Sequence, residues 1–144
     1  IQVTVDSLDT ADDLADALLT AGYPRVTAIT EDVPKPDGRS AVAAFDHTHD
    51  PAFWHKRFHA SADPGRPTNV HLRVDGWPNQ QFPLLFTDWL IANPGVRADY
   101  LAAKRAAEAQ GHPDTGSYAD AKEPWFLDAY RRAWEWAYAT GWGP

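Results

Sequence analysis

Five side chains able to carry positive charge stand at alternating positions in two short stretches, His55, Arg57 and His59 in one and His71 and Arg73 in the other. Alternate residues of a β-strand share a face. If the two stretches pair with their apolar faces coincident, so that Val70, Leu72 and Val74 line one side, the five basic groups gather on the other. Guanidinium groups grip oxyanions bidentately and imidazoles titrate near neutrality, so such a face would suit a phosphate or carboxylate. The plainer alternative is a solvated sheet face paired with some of the chain's 20 acidic residues.

A second cluster, Asp46-His47-Thr48-His49-Asp50 with His55 and His59 behind it, has the ligand types and short spacing of a metal site. It lies in a Pro- and Asp-rich stretch and lacks the H-E-x-x-H of a helical zinc site, so the sequence assigns no metal there. No phosphate-binding G-x-x-x-x-G-K-[ST] loop, no G-x-G-x-x-G turn and no G-x-S-x-G elbow occurs. No catalytic residue is therefore assigned, and no cofactor within these residues.

The elements that must position these groups follow from hydrophobic period and punctuation. Ile1 to Val5 alternate as a strand. Thr10 and Asp13 read as a capping box, and Leu14, Ala17, Leu18 and Ala21 as one helical face that Gly22 ends. Residues 30–52, broken by Pro34, Pro36, Asp37-Gly38 and Asp50-Pro51, read as irregular with only 41–45 strand-like. Strands are expected over 53–61 and 68–74, joined as a hairpin through Asp63-Pro64-Gly65-Arg66-Pro67. Beyond Asn79 the chain reads as helical. Phe82, Leu85, Phe86, Trp89 and Leu90 share one face, and Asn93-Pro94 closes that helix and opens the next, which carries Val96, Tyr100, Ala103 and Ala107. A last helix over 117–139 bears a long apolar stripe, with Pro124 expected to kink or restart it. Strand, helix, strands, then three or four helices is an α/β or α+β pattern.

Composition limits what such a fold can be. With 144 residues, 44% apolar and 23% charged, the chain reads as a single domain, 1–144, that folds without disulfides. A net charge of −7 argues against generic nucleic-acid binding, and no apolar run approaches the roughly 20 residues of a bilayer span. The absence of Cys fits a cytoplasmic location. A strand pattern that begins at Ile1 without an initiator Met leads us to expect a piece of something longer. Of the seven tryptophans, Trp125 and Trp134 lie on the apolar stripe and read as core, whereas Trp136 and Tyr138 lie off it and Trp142 beyond the helix. Those three are candidates for contact with a neighbouring domain.

A dispersed pattern adds to this. Val70-His71-Leu72-Arg73-Val74, Leu85-Phe86-Thr87-Asp88-Trp89-Leu90, Asn93-Pro94, Tyr100 and Lys104, then Tyr118, Lys122 and Phe126, in that order, resemble the GrpB-like family. The resemblance spans nearly the whole chain and implies a nucleotidyltransferase-like fold, a mixed β-sheet packed with a C-terminal set of three or four helices. Trp54-His55-Lys56-Arg57, the run from His59 to Val74, Gly76-Trp77-Pro78-Asn79-Gln80-Gln81-Phe82 and the run from Ala121 to Tyr130 are similar to the C-terminal extension of bacterial dephospho-coenzyme A kinases. That likeness implies an N-terminal kinase domain as partner in the same chain, with ATP and magnesium as that domain's cofactors.

Active nucleotidyltransferases carry a Gly-Ser turn ahead of a strand bearing an Asp-x-Asp-type pair that holds a metal. In the resemblance the Gly-Ser segment is missing from these residues, any first Asp of the pair would precede residue 1, Gln2 takes the second place, and Arg73 stands where the family has a second His. The expectation is a non-catalytic accessory domain, for folding, stability or regulation, with His55, Arg57, His59, His71 and Arg73 facing an anionic or nucleotide-like ligand. The alternatives are a metal-dependent nucleotidyltransferase-like enzyme and a free-standing binding module.

Overall fold

The computed structural model describes residues 1–34, 50–111 and 115–143. They fall into two compact units, one of 1–34 with 50–81 and one of 82–111 with 115–143.

The first unit is built on a three-stranded mixed sheet. Strand β1 (Gln2–Val5) leads into helices α1 (Leu8–Asp13) and α2 (Ala15–Thr20), and β2 (Arg57–Ala60) and β3 (Asn69–Val74) form the hairpin. The order is β1-β3-β2, with β1 parallel and β2 antiparallel to the central β3. Val3 pairs with Leu72 and Val5 with Val74, so β1 and β3 present a continuous hydrocarbon strip on one face. Val5, Val70, Leu72 and Val74 are buried there against Ala11 of α1, with Leu8 and Leu18 packed alongside. The outer edge of β2 is covered by residues 24–32, whose backbone bonds Val26 N–H to Phe58 O, Lys56 N–H to Thr30 O and Asp32 N–H to Trp54 O.

Two local expectations change. Helix α1 is capped earlier than the sequence suggests: Ser7, in extended conformation, is the N-cap, and its Oγ accepts from Thr10 N–H at 3.1 Å. The stretch 53–61 is not one strand. Pro51–Trp54 form a 3-10 turn whose N-cap, Asp50, accepts from Ala52 N–H, and β2 occupies only the end of the stretch. His47, His49 and 41–45 lie outside the described residues.

The second unit is helical. Helix α3 (Pro78–Ala92) has its first turn in the sheet unit, and α4 (Pro94–Ala109) and α5 (Thr115–Thr140) follow. Asn93 is the N-cap of α4, with Pro94 in the first turn as expected, yet its side chain bonds backwards, donating to Trp89 O. Helix α5 continues through Pro124 without the restart that its ring suggested. Leu85, Trp89, Ala129, Tyr130, Ala133, Trp134 and Ala137 are buried in this unit. Trp125 is half-buried and stacks on Tyr100 with ring centroids 5.0 Å apart. No described helix is long and apolar enough to cross a membrane.

Candidate functional site

The register of the hairpin decides where the polar side chains go. Arg57 sits opposite Leu72 and His59 opposite Val70, on the face covered by α1, whereas His71 aligns with Gln2 and Phe58 on the other. The five basic groups therefore do not share a face. Arg57 and His59 accompany the valines, and His71 and Arg73 point away from them. The shared-face expectation fails because the apolar residues of the two strands are out of phase: Phe58, the large apolar residue of β2, lies on the His71 side.

Four of the five are held by partners where they land. Arg57 clamps Asp12 of α1 with Nε at 2.8 Å and Nη2 at 2.7 Å, and Arg25 adds a further bond to the same carboxylate at 2.6 Å. Those guanidinium groups, the hydrogen bond from Arg57 foremost, hold the Asp12 carboxyl down at about 2. His59 is buried, and its Nδ1 donates to Tyr23 O at 2.9 Å, since a carbonyl can only accept. His55 is exposed beside Glu31, 3.6 Å away.

The remaining two join a cluster in which sequence reasoning missed the central member. Asp32, from the irregular stretch, accepts from Arg73 Nε at 2.9 Å and Nη2 at 3.1 Å, and from Lys56 Nζ. Arg73 Nη1 donates to Gln2 Oε1 at 2.7 Å, and Gln2 Nε2 in turn donates to Gln80 O. Asn79, buried in the first turn of α3, ties the 3-10 turn to this place through Trp54 O and His55 O. Lys56 and Arg73 are both buried. Burial alone would raise the Asp32 carboxyl, yet the hydrogen bond and charge of Arg73 with those of Lys56 outweigh it and leave it below its ordinary value. His71 lies with Nδ1 3.3 Å from Arg73 Nη2. A guanidinium has no lone pair to offer, so Nδ1 must be the acceptor and the ring is neutral. Burial, then the charges of Arg73 and Lys56, press its pKa down to about 4.

Such an arrangement does not fit a divalent metal. Magnesium needs several oxygen donors with net negative charge. Here one carboxylate is already held by two cations, and the amide oxygen of Gln2 is bonded to Arg73. Among the described residues no group of three or more His, Cys, Asp or Glu converges as a metal site. The cluster also has little grip left for an anion, because all three guanidinium nitrogens of Arg73 already have partners. Its chemistry is that of a compensated polar joint between strand, loop and helix.

Lys56 could have been found by continuing the alternation from Phe58, which puts it on the row of Arg73. Asp32 carried no local signal. Of the three aromatics set aside for contact, Trp142 donates from Nε1 to Asp88 Oδ2 at 2.9 Å and packs on Trp134, within the helical unit. Trp136 is half-buried, and Tyr138 stands 71% exposed.

The family profile described as GrpB protein matches residues 1–132. The dephospho-CoA kinase of Mycolicibacterium paratuberculosis is 67% identical over 144 residues, covering 100% of this chain and 35% of that protein. The dephospho-CoA kinase of Mycobacterium leprae is 68% identical over 142 residues, 99% of this chain and again 35% of the relative. The chain thus spans about a third of the length of these relatives. The crystal structure of the conserved protein GrpB from Enterococcus faecalis superposes with a TM-score of 0.59 at 20% identity, covering 95% of this chain and 69% of that one, a likeness of fold alone.

Proposed function

The chain belongs to the GrpB family, and from that premise we propose that it serves as a non-catalytic accessory domain of a dephospho-CoA kinase. In this reading an N-terminal kinase domain of the same protein supplies ATP and magnesium binding and carries out phosphoryl transfer, the last step of coenzyme A synthesis. The GrpB domain contributes folding, stability or regulation.

One observation carries the non-catalytic half. Where the family resemblance puts the second member of a metal-dependent transferase's carboxylate pair, Gln2 lies against Arg73, and the Asp32 carboxylate beside it is held by Arg73 and Lys56. A cation placed there would face two fixed positive charges, and among the described residues no uncommitted carboxylate stands beside them. Without a metal, the oxygens of a transferring phosphoryl group would lack their main electrostatic partner.

The test has two arms. Incubated with ATP or CTP and magnesium, the chain should show no nucleotide turnover; turnover that disappears in Gln2→Ala would overturn the non-catalytic reading. Deleting residues 1–144 from the full-length protein should reduce its soluble yield or its kinase activity. A deletion variant with full activity and unchanged thermal stability would overturn the accessory role.

A further inference from the structure

Helices α4 and α5 bring together residues that the sheet cluster leaves unused. Lys104 on α4 rests its Nζ 5.6 Å from the centroid of Tyr100, and Lys122 on α5 rests its own 3.9 Å from the centroid of Tyr118 and 6.0 Å from that of Phe126. Tyr100 stacks on Trp125 and meets Phe126 edge-on at 5.6 Å, so both lysines stand on one connected aromatic platform. Neither forms an ion pair among the described residues. Two hollows flank them. One of about 460 Å³ is lined by Pro94, Arg97, Ala98, Tyr100, Leu101 and Lys104, and one of about 230 Å³ by Phe82, Ala119, Lys122, Glu123 and Phe126.

We propose that this face of α4 and α5 binds the phosphate group of a small molecule, with Lys104 and Lys122 as the anion's paired donors and the Tyr100–Trp125 stack as an apolar wall beside it. A chain with 20 acidic and 13 basic residues could readily neutralise two lysines. It leaves them instead close enough to repel: Lys122 is held below the ordinary lysine range by burial and by the charge of Lys104. Burial and the neighbouring Tyr118 keep the Tyr100 phenol protonated to higher pH than usual, so it remains a donor. A dianion relieves the repulsion of both ammonium groups at once and gains charge-assisted hydrogen bonds from each. Arg97 borders the same hollow as Lys104 and adds a third cationic side chain to this face. The site lies within the helical unit and is independent of the accessory role.

Calorimetric titration of the complete chain with inorganic pyrophosphate, and separately with ATP, tests it. Saturable binding is expected, weakened at least tenfold by Lys104→Gln with Lys122→Gln and largely retained by the corresponding Arg variants. Equal affinity for the two probes assigns recognition to the phosphate alone; tighter binding of ATP adds the aromatic wall. The unaltered chain gives an independent readout, because pyrophosphate should shield Lys104 and Lys122 from amine acetylation more than Lys56 as followed by mass spectrometry. No saturable binding of either probe, affinity unchanged by the Gln variants, or no selective shielding would each overturn the site.

Discussion

Asp12 and Asp32 each hold two cationic side chains, yet they differ in what their removal leaves behind. The Asp12 carboxylate is 39% exposed, and the guanidinium groups it would release can reach water. The Asp32 side chain is 23% exposed, and its partners Lys56 and Arg73 are 6% and 10% exposed. Asp12→Ala should therefore cost about 1 kcal/mol, as an exposed pair does. Asp32→Asn should cost about 3 kcal/mol, because it strands two buried charges. Urea unfolding of both variants measures the difference, and equal costs would show that the cluster is solvated. His71 adds a pH dependence of known sign. Its folded-state pKa of about 4 lies below the ordinary 6.5, so protonation favours the unfolded chain. Stability should be complete above pH 6.5 and fall as pH drops toward 4. A tenfold change in proton affinity is worth about 1.4 kcal/mol, and solvent screening of a half-buried ring discounts it, so the loss is about 1–2 kcal/mol. Asp32, with a lowered pKa, contributes in full above the usual carboxylate range and loses its part only below it, so the two effects separate. In His71→Gln the slope between pH 6.5 and 4 should flatten.

Elements with many apolar residues at a fixed period were legible, and short ones were not. The faces of α3 and α5 follow from repeats of Leu, Phe, Trp and Ala that only a 3.6-residue period satisfies, and Leu85, Trp89, Tyr130 and Trp134 are buried as that period requires. Strand β2 offers only Arg57, Phe58, His59 and Ala60, and a pattern with one large apolar residue fits either face. Its register comes from β3 and from the edge segment 24–32, neither of which the alternation within β2 can express. The start of α1 is a similar case. Ser7 and Thr10 are both hydroxyl residues with a carboxylate or hydroxyl three positions on, and the two side chains bond each other at 3.0 Å. The extended backbone at Ser7 makes it the cap, so Ser7→Ala should cost about 1 kcal/mol and Thr10→Ala less. Thermal melts of the two variants decide it; a larger loss in Thr10→Ala would return the cap to the later residue.

At the scale of the whole molecule, the backbone is kept where most of the residues differ. The scaffold is kept to a TM-score of 0.59 over 95% of the chain against a structure only 20% identical, and the family was legible because its identifying residues recur in a fixed order along the helices and strands. The chemistry of a site depends on a few groups that packing does not fix. If the missing carboxylate were all that separated this sheet from a metal site, Gln2→Asp would begin to restore one. The geometry argues otherwise, because the Gln2 side chain lies 2.7 Å from Arg73 Nη1 and a carboxylate there would pair with the guanidinium. Gln2→Asp should leave the chain without measurable affinity for manganese by electron paramagnetic titration, and with stability equal to or greater than that of the parent. Manganese binding by that single variant would mean that Arg73 can be displaced, and the compensated joint would then be a metal site one substitution away from function.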